Sequence, residues 1–204
     1  MKKAFCLIFM FVFLNGSTLV KGDDYLILKN PFLNAKNSVI EIFSYQCIFC
    51  FNHHKFKTLS KIKEKIPNLN YYLIPVSSMA KNGKEFNEIF AYAQYLDIKN
   101  GKDSADESSY ANKIASLYFK AHFEEKKEFD YDIGLKELNI SKSDLDSFLS
   151  NNNEIFKNYD IANDVAENFG TPTFIVNGKY QINPEKTKTI DDLINMINEL
   201  KNYE

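Results

Sequence analysis

The stretch EIFSYQCIFCFNHH, residues 41–54, changes character in its middle. Up to Tyr45 the chain is β-branched and aromatic, which predicts a buried strand over 38–45. From Ile48 the period changes: Phe56, Leu59, Ile62 and Ile66 recur at helical spacing until Pro67 stops them. Cys47 and Cys50 stand at the junction. Any fold for this chain must therefore turn a strand directly into a helix with two thiols at the helix start.

A second strand is expected over 69–76 (LNYYLIPV), where Pro75 must end the strand or sit at a sheet edge. The next ninety or so residues carry no strand signal. Phe86, Ile89, Phe90, Ala93 and Leu96 form one apolar stripe; Ala111, Ile114, Ala115, Tyr118, Phe119, His122 and Phe123 form another. Ser141 precedes Leu145, Phe148 and Leu149, and a last stripe runs from Ile155 to Phe169 before Gly170. Such stripes predict packed helices, with His122 a packed or rim residue rather than a ligand. After Gly170, two short β-type runs flank Asn177-Gly178, a pair suited to a type I′ hairpin turn. Thr189 is placed to cap a final helix with Asp191 and Asp192 in its first turn.

The N-terminus reads as an export signal. Lys2 and Lys3 precede an apolar segment over 4–14, and a polar stretch ends at Gly22, the expected cleavage point. The alternative is a retained anchor, although eleven apolar residues fall short of the roughly 20 that a spanning helix needs. Either way the body of the protein lies outside the cytoplasm. Removing Lys2, Lys3 and Lys21 leaves 22 lysines against 27 acidic residues, a net charge of −5 with no arginine. That composition argues against a nucleic-acid partner. Cys6 leaves with the signal, so Cys47 and Cys50 are the remaining cysteines. A disulfide closing so short a loop removes little chain entropy, which makes the pair a poor structural staple.

Their chemistry follows from position. Cys47 would meet unpaired N–H groups and the positive end of a helix dipole, which favour its thiolate; Cys50, one turn in, would be buried. Cys47 is therefore the expected nucleophile and Cys50 its resolving partner. A zinc site with His54 is disfavoured, because seven helical residues span about 10.5 Å and zinc ligands lie at about 2.0–2.3 Å. His53 and His54 are read as solvated surface residues, with the option that one faces Cys50. Glu41 shares a strand face with Val39, Phe43 and Tyr45. If buried, it would have a raised pKa and could accept the Cys50 proton; an exposed position on an edge strand is the other option.

The order strand, CxxC, helix, strand, helical block, Thr-Pro, hairpin, helix resembles the DsbA family of exported thiol:disulfide oxidoreductases. The carriers are EIFSYQCIFC (41–50) and GTPTFIVNGKYQI (170–182), with the helical block between them. The resemblance implies an α/β fold: a thioredoxin-like sheet (23–76 and 171–204) with helices on both faces and an inserted all-helical subdomain (77–170), after a signal peptide (1–22). It implies a periplasmic monomer without cofactor or metal that oxidises folding exported proteins with cysteines. A DsbB-like quinone-linked membrane protein would reoxidise it. It also implies a cis Thr171–Pro172 bond facing the CxxC, an acidic residue at the position of Glu41, and Ile48 and Phe49 as modulators. The family's lysine partner for that acid is missing, Tyr71 and Tyr72 occupying the region. Phe49 replaces the family's histidine, which predicts a milder oxidant. A reductase or isomerase on the same fold, or a redox-inactive peptide-binding module, are the rival readings.

Overall fold

The computed structural model describes residues 19–203; most of the expected signal peptide lies outside the described residues. Five strands form one sheet: β1 (Tyr25–Ile27), β2 (Ser38–Phe43), β3 (Asn70–Pro75), β4 (Thr173–Val176) and β5 (Tyr180–Ile182). Their order is β1-β5-β4-β2-β3, with β2 and β3 parallel and the other pairs antiparallel. All six residues of β2 are buried, as a central strand requires. β3 is an edge strand and ends at Pro75, so both consequences expected of that proline hold.

Between β2 and β3 run α1 (Ile48–Lys55) and α2 (Thr58–Lys65). The sequence pattern predicts a single helix here, and the structure corrects it. Lys57 takes a left-handed conformation (φ 55°), which breaks the helix and leaves Phe56 exposed instead of on the apolar stripe. Neither glycine nor proline marks that break.

Between β3 and β4 lies the helical block: α3 (Gly83–Lys99), α4 (Tyr110–Phe119), α5 (Tyr131–Leu138), α6 (Lys142–Asn151) and α7 (Phe156–Phe169). α4 runs into a π-helical turn, Lys120–Glu124, that carries His122 edge-on to Phe123. The predicted aromatic stripes are core. Phe43 of β2 meets Phe86 and Phe90 of α3 and Phe119 of α4, with ring centroids 5.4–6.1 Å apart. Each such ring contributes about 1.5–3 kcal/mol by burial, so the block is welded to the strand that leads to Cys47. Asp97, buried near the end of α3, accepts from the N–H groups of Tyr110 (2.7 Å) and Ala111 (2.8 Å), tying the start of α4 to α3.

The hairpin forms as expected, with Asn177 and Gly178 both at positive φ, the type I′ requirement. α8 (Ile190–Leu200) begins with a capping box between Thr189 and Asp192. Its buried residues Leu193, Met196, Ile197 and Leu200 follow an i, i+3, i+4, i+7 spacing. The sheet is covered on both faces. Glu41 and Phe43 point toward α1 and α4, whereas Ile40 points to the cavity bordered by Tyr159 of α7. This is the thioredoxin-like sheet with inserted helices.

Candidate active site

Residues 44–46 hold the turn that presents Cys47, and each binds the 79–81 loop. Ser44 Oγ donates to the Met79 carbonyl (3.1 Å), the Tyr45 hydroxyl donates to the Lys81 carbonyl, and Gln46 Oε1 accepts from the Lys81 amide (3.1 Å). The helical insertion thereby braces the entrance to α1.

Cys47 is the N-cap of α1, and its Sγ accepts from the Cys50 amide at 3.2 Å. As a thiol it lies 3.2 Å from the Thr171 carbonyl oxygen, so it also contacts the loop before β4. Its pKa falls to about 6. The largest cause is a hydrogen bond from the Cys50 thiol; burial opposes the shift, and the Cys50 amide, the Thr171 side chain and the Phe49 amide reinforce it. Cys50 is 1% exposed. Burial first, then the hydrogen bond and charge of Cys47, push its thiol far above the ordinary range. One sulfur is poised as an anion at the surface and the other is kept protonated inside.

The Thr171–Pro172 bond is cis. Thr171 Oγ1 is buried and makes no well-formed hydrogen bond in this dithiol state, yet it lies close enough to lower the pKa of both sulfurs. It is a free donor beside the place where negative charge develops. Ile48 and Phe49 are exposed, at 47% and 66%, and Phe56 joins them at 62%. Beside them a groove of about 630 Å³ runs past Pro172, Phe174, Ile190 and Leu193.

Glu41 is 4% exposed and β2 is central, so the edge-strand option fails. Leu73, not Tyr71 or Tyr72, stands opposite it on β3, a register that the sequence does not reveal. Its partner comes from α1: His53 Nδ1 lies 3.1 Å from Glu41 Oε1. The solvated reading of the two histidines is thus corrected. His54 is held against Phe119 and 2.7 Å from Ser116 Oγ, and burial lowers its pKa. Glu41, Cys50, His53 and His54 line one small pocket of about 20 Å³, room for a single water. The i, i+3 spacing of Cys50 and His53 was the available signal for this grouping. Among the described residues, no cluster of three His, Cys, Asp or Glu is arranged to hold a metal ion.

No protein-family model matches the chain. It is 28% identical over 196 residues to the thiol:disulfide interchange protein DsbL of Escherichia coli O6:H1, covering 91% of this chain and 88% of that one. DsbL of Klebsiella pneumoniae matches at the same identity and coverage. The crystal structure of DsbL from Salmonella enterica serovar Typhimurium superposes with a TM-score of 0.82 at 27% identity, covering 93% of this chain and all of that one. The DsbA structure from Klebsiella pneumoniae shares the fold, with a TM-score of 0.65 at 20% identity over 92% of this chain and 100% of its own. The strand-to-helix thiol pair, the cis-proline loop facing it and similarity over nearly the whole length make this chain similar to the thiol:disulfide interchange protein DsbL, on the fold that DsbA shares.

Proposed function

We propose that this protein is an exported disulfide oxidase: its Cys47–Cys50 disulfide accepts electrons from folding proteins in the periplasm. The observation that carries this reading is the split between the thiols, one lowered to about 6 at a helix start and the other buried and raised. A stabilised Cys47 thiolate favours the reduced pair, and a protein stable in its reduced form is a strong oxidant. The similarity to the thiol:disulfide interchange protein DsbL supports disulfide exchange as the chemistry.

In the forward reaction a client thiolate attacks Cys47 Sγ and breaks the Cys47–Cys50 bond. Cys50 leaves and takes a proton; Glu41, on the shared cavity, is the group placed to handle it. A second client thiol then attacks the client sulfur of the mixed disulfide, and Cys47 departs as its thiolate. Two electrons pass from the client dithiol to the protein. The groove beside Pro172, with Phe49 and Phe56 at its rim, suits an extended client segment. A DsbB-like quinone-linked membrane protein would restore the disulfide.

The test is a Cys50→Ala trap in periplasmic extracts. A redox enzyme accumulates Cys47-linked mixed disulfides that reductant dissolves; a redox-inactive peptide-binding module accumulates none.

A further inference from the structure

Phe49 removes the histidine that the family places between its cysteines, yet Cys47 is still strongly acidified. The imidazole of His53 borders two spaces at once. One is the small pocket with Cys50 and Glu41; the other is the outer groove with Phe49, Thr171 and Pro172. Its ring lies tilted against Phe174 with centroids 5.8 Å apart, and Glu41 holds Nδ1 at 3.1 Å. Because a carboxylate only accepts, that contact puts a proton on Nδ1 and leaves Nε2 free to gain another.

We propose that His53, positioned by Glu41, is the charge-compensating group of the redox centre, taking a proton when Cys47 becomes a thiolate and releasing it when the disulfide reforms. This deepens the oxidase reading and rests on it. The balance closes: oxidising a client dithiol yields two electrons and two protons. The electrons reduce the Cys47–Cys50 bond, one proton goes to Cys50, and the other goes to His53. Glu41 stays a carboxylate overall. His53 acts through Cys47 and is a positioning residue, not one that attacks the client.

The surroundings favour the cation. Burial alone would lower the His53 pKa, but the hydrogen bond and charge of Glu41, followed by the charge of Cys47, outweigh it and raise it. Cys50, held protonated, adds no charge. Lys57 on the small pocket and Lys61 and Lys188 on the outer groove oppose the cation, and Lys57 is engaged by Glu107 at 2.5 Å. His54, the other histidine on the cavity, is shifted in the opposite direction. The His53 side chain keeps 32% exposure, so solvent protons reach it while Glu41, at 5%, remains shielded.

Linkage is reciprocal: if reduction strengthens proton binding at His53, protonation at His53 strengthens reduction by the same factor. Two measurements test this. The first is an NMR titration of the His53 ring in oxidised and reduced wild-type protein, which needs no substitution. A higher midpoint in the reduced protein is expected, and equal midpoints overturn the proposal. The second is the equilibrium with glutathione at pH 6–7 for wild type, His53→Gln and His54→Gln. His53→Gln should shift it about tenfold away from reduction, about 30 mV for a two-electron couple, while His54→Gln stays near wild type. No change in His53→Gln, or an equal change in both variants, overturns the proposal and leaves the oxidase reading standing. A wild-type pair that does not exchange with glutathione removes both.

Discussion

Cys47 Sγ and the backbone nitrogen of Cys50 lie 3.2 Å apart, so the N-cap of α1 is a sulfur atom filling the role usually taken by a serine or aspartate oxygen. An N-cap acceptor gains from being an anion, and that gain adds to the hydrogen bond from the Cys50 thiol, the largest cause of the lowered Cys47 pKa. A disulfide sulfur carries no such charge, so the gain belongs to the reduced protein.

Alkylation should reflect this asymmetry. In the reduced protein, Cys47 reacts with iodoacetamide at neutral pH with a rate that rises through pH 6, while Cys50 stays unreacted until the protein unfolds. Peptide mapping after timed quenching reads the two sites separately. Equal rates would remove the assignment of Cys47 as nucleophile.

Stability should respond to pH in a defined direction. The folded Cys47 pKa, about 6, lies below its ordinary value of 9.0. Its contribution is therefore fully present above 9 and is lost as pH falls through 6. Urea unfolding of the reduced protein, compared with reduced Cys47→Ser, should show a gap that widens from pH 6 to 9. A constant gap over that range would mean that the thiolate contributes nothing to folding.

Much of this site is legible in the sequence because local rules govern it. A β-type run ending at two cysteines, a helical period after them, and Asn177-Gly178 between two short runs each act over a few residues. What is hidden depends on longer-range choices. The helix break at Lys57 uses a left-handed lysine that carries no composition signal. The pairing of Glu41 with Leu73 rather than a tyrosine depends on the β2–β3 register. The i, i+3 spacing puts His53 on the Cys50 side of α1, but that it meets Glu41 depends on how α1 packs against β2, which the sequence does not reveal.

Glu41→Gln keeps the shape of the side chain and removes its basicity. It should slow the steps in which Cys50 gains or loses its proton, including breakdown of a mixed disulfide by Cys50. Stopped-flow rates should fall by about 10²-fold or more, with the circular dichroism spectrum unchanged. Wild-type rates would make Glu41 a structural residue.

Phe49→His places a donor beside the Cys47 sulfur, which favours the thiolate and therefore the reduced state. The Cys47 titration should move to lower pH and the disulfide should become more oxidising. Thiolate absorbance against pH, with glutathione equilibria, reads both. If neither moves, the residue between the cysteines does not set the poise, and the load falls on Thr171, His53 and the helix start.

Asp97→Ala removes the acceptor for two α4 amides and should destabilise the protein by about 1–2 kcal/mol. The loss should appear as a lower urea midpoint with Cys47 reactivity preserved in the folded protein. An unchanged midpoint would show that water replaces the carboxylate without cost.

The most direct measurement of the oxidase assignment is the equilibrium of the Cys47–Cys50 pair with a glutathione redox buffer at pH 7. A disulfide that oxidises folding proteins should have a potential more positive than about −200 mV, toward the value of about −120 mV characteristic of strong oxidants. A potential near the −270 mV or so of a reducing thioredoxin would contradict that assignment and identify the pair as an electron donor.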